Sequence, residues 1–268
     1  MIVILIPSHF EAKDFIAGLE GRRKWRANDA DCVEGRIGET TVTVGIIGMG
    51  PPHAAKRAAA VIGECRMQNA ECRIKRGTRN AERGVTSGGP KESNETTPVR
   101  GVILCGFAGA LKPELKRGEI FVTAGAEHFL PHLPEAERPA QARLHTAEKV
   151  VATGAAKAEL FARTGAWLVD MEQADIARVA ADAGLPFVGV RIVSDEAHED
   201  LPHDLLSRAY DQAEGEYTPL KLAGHLTRNP FKVRTLASFV RPLPPVRRRM
   251  SDHLHRWLML TGPKLFRP

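Results

Sequence analysis

The chain of 268 residues is poor in the features that most quickly betray a function. It has four cysteines (Cys32, Cys65, Cys72 and Cys105) and none forms a CxxC pair, which excludes a zinc ribbon or a dithiol redox motif. No apolar run approaches the roughly 18–20 residues a membrane-spanning helix needs. There is no GxxxxGK(S/T) phosphate loop and no internal repeat. GMGPPH (48–53) fails as a dinucleotide fingerprint because His53 stands where its last glycine belongs. It reads instead as a backbone loop. The MIVILIP start lacks the basic n-region and the apolar length of a signal peptide. The expectation is a cytoplasmic protein with reduced thiols.

What is present fits a folded globular chain. Hydrophobic residues make up 43% and mean hydropathy is −0.23, too apolar for a mainly disordered protein. The length suits one α/β domain with appendages. The net charge of +6 is unevenly spread. Residues 221–268 hold eleven basic residues and one acidic, a local +10, and residues 66–100 hold eight against four, a local +4. The remaining body is therefore acidic, at −8.

MIVILI (1–6) is a continuous apolar run closed by Pro7-Ser8, the pattern of a strand buried on both faces. A helix is expected from Ser8 to Leu19. An antiparallel pair follows over 33–37 and 41–47, turned at Gly38-Glu39, and then an Ala-rich helix from His53 to Gly63. Residues 66–100 are polar and rich in Gly, Ser, Asn and Thr, which predicts an insertion or flexible excursion outside the core. Strands are expected at Val102–Cys105, Ile120–Ala124 and Phe187–Val193. Between the last two, a helix over Trp167–Ala183 is closed by Gly184 with Pro186 beyond. Strands alternating with helices give an α/β fold with a parallel or mixed sheet. The domain division is 1–219 as the body and 220–268 as a basic, Pro-containing extension, with short helices near Leu220–Leu226 and Met250–Leu260.

Ligands in such sheets sit at the carboxyl ends of strands. Glu11 follows the first strand, Glu172 sits in the helical region, and Ser194-Asp195 ends FVGVRIV. Each has a plainer reading. Ser8-x-x-Glu11 matches a capping box, Asp170 and Glu172 suit a helix's first turn, and Asp195 could cap the next segment. The histidine pairs His128/His132 and His198/His203 have metal-like spacing but lie in Pro-containing segments. No metal site is expected.

VDMEQADIARVAADAGLPFVGVRIVSDEA (169–197) resembles the signature of the purine nucleoside phosphorylase and methylthioadenosine/adenosylhomocysteine nucleosidase superfamily. The marks are a V-(E/D)-M-E element, a following P-F strand start and an R-x-(I/V)-S-D strand end. LCGFAGALKPELKRGEIFVTA (104–124) resembles the family's G-x-A-G-x-L block, with Glu119 for its Asp, and LIPSHFEAKDF (5–15) resembles its first strand and following Glu. The resemblance implies a three-layer α/β/α fold with a central mixed sheet, nucleoside phosphorylase-like. It also implies cleavage of a purine N-glycosidic bond, most simply with adenine as the base. In that scheme Asp195 is the general acid to the base, a role that needs a carboxyl of raised pKa. Ser194 orients Asp195, Glu172 accepts hydrogen bonds from the ribose hydroxyls, and Met171 packs on the sugar. Asp170, Gly106 and Phe107 line the substrate, and Glu11 positions the attacking water if the reaction is hydrolysis. No cofactor is implied, and phosphate is the one conceivable co-substrate.

Three departures bear on the chemistry. Phe107 stands where relatives often have a Ser or Thr hydroxyl, which argues against ordinary phosphate binding. Asp170 replaces the commoner Glu. The segment 150–165 is short and lacks the aromatic that stacks on the base, Phe161 being the nearest substitute. The shortened segment and the basic tail are similar to the hopanoid-associated phosphorylase branch, which implies a lipid-linked nucleoside such as adenosylhopane. The tail itself admits three readings. In one, Arg247-Arg248-Arg249 and Leu254, Trp257, Leu258 and Leu260 lie at an anionic membrane surface, with Trp257 at headgroup depth. The others are nucleic-acid contact, the weaker functional reading, and a solvated or partner-packing extension. A homo-oligomer is expected from the family. The rival function is a non-catalytic nucleoside-binding or nucleic-acid-associated protein.

Overall fold

A computed structural model describes residues 1–82, 98–202, 204–205, 210–211, 216–217, 231–262 and 264–266. Its centre is a ten-stranded mixed sheet. The strands that build it are β1 (Ile2–Ile6), β2 (Glu20–Ala27), β3 (Ala30–Ile37), β4 (Thr40–Ile46), β5 (Gly101–Ala110), β6 (Ile120–Ala124), β7 (Ala140–Gln141), β8 (Leu144–Thr146), β9 (Leu168–Asp170) and β10 (Phe187–Asp195). The order along the main path is β2-β3-β4-β1-β5-β10-β6-β7, with β9 pairing β5 and β8 pairing β9. Strands β4, β1, β5 and β10 run parallel as neighbours.

The apolar run at the start becomes β1 because both of its faces are covered. Ile2, Ile4 and Ile6 join a core with Phe15 and Trp257, while Val3 and Leu5 join another with Ala58, Val61 and Ile176. The period-2 alternation of a strand thus divides one continuous hydrophobic run between two layers. On one face lie α1 (His9–Ala17) and the C-terminal helix; on the other lie α2 (His53–Glu82) and α5 (Gln173–Asp182). Two further helices, α3 (Ala126–Phe129) and α4 (Gly154–Thr164), complete the body. This is the three-layer α/β/α arrangement with a mixed sheet that the sequence implies.

Local expectations meet mixed outcomes. The β3–β4 hairpin has the expected antiparallel register, with Ile37 opposite Thr40 across Gly38 at φ +55°. The helix expected to stop at Gly63 instead continues to Glu82, so the near half of the polar 66–100 stretch is helical. Its Glu, Arg, Ala, Lys and Gln residues are good helix formers with no proline to interrupt them. Residues 167–183 are not one helix. Leu168–Asp170 pairs with β5 and β8 as β9, and α5 starts only at Gln173. The segment LVD is too short to announce its strand pairing, which is set by neighbours distant in sequence. Strand β2, with most of its residues exposed, lacks the apolar alternation that would have marked it.

The tail needs the largest correction. Helices α6 (Phe231–Val240) and α7 (Leu243–Thr261) follow the body, and α7 lies against α1. Met250, Leu254, Trp257 and Leu258 are buried in the same core as Ile2, Ile4 and Ile6, with Trp257 edge-on to Phe129 at 5.4 Å. The stripe that one of the three readings placed at a membrane surface is spent on the protein's own interior, the commoner fate of an amphipathic helix. Arg247 is also turned inward, its Nε donating to Asp14 at 2.8 Å. Arg248, Arg249 and Leu260 remain exposed. The helix expected near 220–226 lies outside the described residues. Among those described, no helix is long and apolar enough to cross a membrane.

Candidate functional site

The chain leaves β1 through Pro7 into Ser8, which caps α1 by accepting the Glu11 N–H at 3.2 Å. The Glu11 side chain returns to the Ser8 backbone N–H as in a capping box, and it makes two further contacts. Its Oε2 accepts the Ser8 hydroxyl at 2.6 Å and its Oε1 accepts the Phe107 N–H at 2.7 Å. The serine caps the helix while the glutamate crosses to the carboxyl end of β5. Burial raises the Glu11 carboxyl above its ordinary pKa, opposed by Ser8, the Phe107 N–H and Arg191. Gly106 is required beside it, since a Cβ there would lie 2.9 Å from Pro7 and 3.1 Å from Glu11 Oε1. The Phe107 ring meets Phe10 edge-on at 6.2 Å.

Glu172 stands between β9 and α5, 6% exposed. The 48–52 loop folds over it, and the Gly50 N–H donates to its Oε1 at 2.8 Å. Gly50 has φ +74°, and a Cβ there would come 3.0 Å from Met171 Cε. Glycine is needed for the left-handed turn and for the close approach together. Burial first, then the neighbouring Asp170 charge, pushes the Glu172 carboxyl up to about 8, against the lowering pull of Arg191 and the Gly50 N–H.

Asp170, expected against the substrate, is instead committed to the scaffold. Its Oδ1 accepts the Thr146 hydroxyl at 2.9 Å, and its Oδ2 accepts both the Gln173 N–H at 2.9 Å and the Arg191 guanidinium at 2.5 Å. It satisfies an orphan N–H of the first turn of α5 and anchors Arg191, which is fully buried. Asp170 does so from the end of β9, outside the helix whose first turn the plainer reading assigned it to.

Ser194 and Asp195 end β10 in a buried pair, the Ser194 hydroxyl lying 2.6 Å from Asp195 Oδ1. Gly109 on β5 pairs with Asp195 on one side and Val169 on the other. A Cβ at Gly109 would sit 3.0 Å from Asp195 Oδ2 and 3.3 Å from Val169. That glycine brings the two halves of the 169–197 motif to one place.

One residue of the site has no counterpart in the sequence reading. Lys157, on α4 and fully buried, donates to Asp195 Oδ2 at 2.6 Å and to the carbonyls of Glu196 and Glu199, each at 2.9 Å. A lone lysine in GAAKAELFART reads as solvated; the only local signal is its i,i+3 spacing from buried Leu160. Phe161, the candidate base-stacking aromatic, packs instead against the small cluster of Leu111, Leu160, Ala166 and Val169. Among the described residues there is no group of three metal-ligating side chains. His128 faces Glu127, and His203 lies outside the described residues.

The geometry is that of an enzyme. Buried carboxylates gather at the carboxyl ends of parallel strands, where open α/β sheets bind and transform small ligands. The profile of the phosphorylase superfamily matches residues 1–141 and 134–218, and the chain belongs to that superfamily. A search of curated proteins gives no match. Among solved structures, the chain is similar to the 5'-methylthioadenosine/S-adenosyl homocysteine nucleosidase of Campylobacter jejuni at 13% identity and TM-score 0.61, covering 96% of this chain and 98% of that one. The corresponding Neisseria meningitidis nucleosidase, in complex with methylthio-immucillin-A, gives 16% identity and TM-score 0.63 with the same coverage. The futalosine hydrolase of Helicobacter pylori gives 14% and 0.53, with 96% of each chain covered.

Proposed function

We propose that the protein cleaves the N-glycosidic bond of a purine nucleoside with adenine as the base. The observation that carries this reading is the meeting, across Gly109, of the buried Ser194–Asp195 pair with the segment that holds Met171 and Glu172. Glycosidic cleavage develops cationic character on the sugar and negative charge on the departing base. A carboxyl group is therefore needed at each end. Asp195 protonates the base, Ser194 orients it, and Glu172 holds the ribose hydroxyls with Met171 against the sugar. Glu11 positions the nucleophile. Water is favoured by the buried Glu11 carboxylate and by the absence of a hydroxyl at Phe107. Phosphate remains the alternative that the assay decides.

The test is incubation with adenosine and 5'-methylthioadenosine, with and without phosphate, following free base, free sugar and sugar 1-phosphate. Base release independent of phosphate selects hydrolysis. Release that persists undiminished in Asp195→Asn removes the proposed acid.

The finer reading, a lipid-linked adenine nucleoside such as adenosylhopane met at an anionic bilayer, is supported by the hopanoid-branch resemblance and the outward arginines of α7. Deleting the tail cannot test it, because α7 is part of the core. Arg248→Glu with Arg249→Glu in the full chain keeps the buried face intact. Sedimentation of this variant with phosphatidylglycerol vesicles is expected to fall below that of wild type, and equal sedimentation would refute the membrane reading.

A further inference from the structure

Lys157 is a buried cation that the scheme above leaves without a role, and its surroundings are specific. Its ammonium has three protons and three acceptors: Asp195 Oδ2 and the carbonyls of Glu196 and Glu199. None is left to reach a ligand. The segment it grips is held again from outside. Arg117 donates to the Ser194 carbonyl at 2.7 Å and to Glu199 at 2.6 Å, and Lys116 pairs with Glu196 at 3.0 Å. These two cations are partly or largely exposed, whereas Lys157 is fully buried. A buried ammonium is costly and persists only where its partners are fixed. A plain packing position on α4 would be filled as well by leucine or methionine.

We propose that Lys157 is a positioning residue for Asp195. By taking Oδ2 it fixes the carboxyl rotamer and leaves Oδ1, beside the Ser194 hydroxyl, as the oxygen that meets the base. In the cleavage step the O–H bond at Oδ1 breaks and an N–H bond forms on the base. The glycosidic C–N bond breaks with its electron pair going to the base. A water oxygen bonds to the sugar carbon as one of its O–H bonds breaks and Glu11 takes the proton; in phosphorolysis a phosphate oxygen takes the place of water. Asp195 is left as a carboxylate, and the Lys157 ammonium 2.6 Å away stabilises that charge as it forms. Lys157 acts through Asp195 and touches no substrate. The inference rests on the glycosidase reading and adds to it a determinant of Asp195 geometry.

The experiment compares wild type, Lys157→Met, Asp195→Asn and the double variant with adenosine and 5'-methylthioadenosine. Each is assayed at a temperature where circular dichroism shows it folded. Lys157→Met is expected to lower kcat by about 100-fold while KM stays within about threefold, because the loss falls on the transition state. In the Asp195→Asn background the same substitution is expected to change kcat by less than about twofold, since the group it positions is gone. An unchanged kcat, a rise in KM alone, or multiplicative effects in the double variant would overturn the proposal. Should Lys157→Met fail to fold, Lys157→Gln, whose amide still donates two hydrogen bonds, carries the same comparison. Failure of both to fold while Asp195→Asn folds would show that the lysine serves the carbonyls rather than the carboxylate, and would also overturn it. If wild type releases no base, the functional reading fails. The clamp is then judged by thermal unfolding of the four proteins, where additive shifts in Tm refute it and strongly non-additive ones uphold the pairing.

Discussion

Replacing Glu172 by glutamine should change how stability responds to pH, and the sign follows from where the carboxyl sits. Its value is pushed up to about 8 in the folded protein by burial and by the Asp170 charge, from an ordinary 4.5. Between those pH values the folded chain holds a proton that the unfolded chain has lost. The unfolding free energy therefore falls as pH rises through this window. The stabilisation is fully present below about pH 4.5 and gone above about pH 8. A pKa difference of about 3.5 at roughly 1.4 kcal/mol each sets a ceiling near 5 kcal/mol. Arg191 lies close enough to oppose the shift, so about 2–4 kcal/mol is the expected size. Glu172→Gln removes the titration and keeps an amide oxygen for the Gly50 N–H. Urea unfolding of both proteins at about pH 5 and pH 8, with the wild-type loss compared with the variant loss, cancels the other carboxyls. Wild type should lose about 2–4 kcal/mol more than the variant on going to the higher pH. Parallel losses, within about 0.5 kcal/mol, would refute the claim that burial raises this carboxyl in the substrate-free protein.

Three further outcomes follow from close contacts and burial. Gly109→Ala brings a methyl group 3.0 Å from Asp195 Oδ2; base release should fall by more than about tenfold in kcat, and an unchanged rate would show that Asp195 need not stay where it is. Trp257→Ala empties a site 2% exposed in the main core and should cost about 3–5 kcal/mol in denaturant unfolding; a loss under about 1 kcal/mol would mean that α7 is not part of the core. Arg247→Met leaves Asp14 without its 2.8 Å partner and removes a guanidinium 4.7 Å from the Phe10 ring centroid. Unfolding should then become easier by about 1–3 kcal/mol, with no loss if the pair is merely a surface contact.

Legibility in the sequence tracks whether a signal is local. β1 and β10 could be read because a strand covered on both faces is a run of apolar residues, and Gly184 and Pro186 punctuate the chain just before β10 whatever surrounds them. Gly38 fixed the β3–β4 turn for the same reason. β9 could not be read. Three residues carry no period, and what makes LVD a strand is Gly109 and Ala110 on one side and Leu144 and His145 on the other. Within the site, Glu11, Glu172 and the Ser194–Asp195 pair were visible because they sit just beyond strands or in motif positions. Asp170 was visible too, but its task was not, since nothing in V-D-M-E shows that Thr146, Gln173 and Arg191 would claim both of its oxygens. Lys157 is the extreme case. Its partners lie 38 to 42 residues away, and a buried lysine looks like a surface one until the fold closes around it.

The same logic settles what the basic excess can mean. Charge along the sequence separates an acidic body from a basic tail, and that separation suggests an attachment. Folding does not preserve it. Arg247 is drawn inward to Asp14 on α1, the helix that also carries Glu11, and Arg256 pairs with Glu137 of the body. Lys232 pairs with Asp204. The tail's cations are thus partly spent on the body's carboxylates, and its apolar stripe closes the core that α1 packs into. Any encounter with an anionic surface is left to cations that find no such partner among the described residues, and on α7 these are Arg248 and Arg249. Their reversal to glutamate should therefore alter vesicle sedimentation without altering stability by more than about 0.5 kcal/mol, as for exposed charges elsewhere. A large loss of stability in that variant would show that these arginines, like Arg247, belong to the fold.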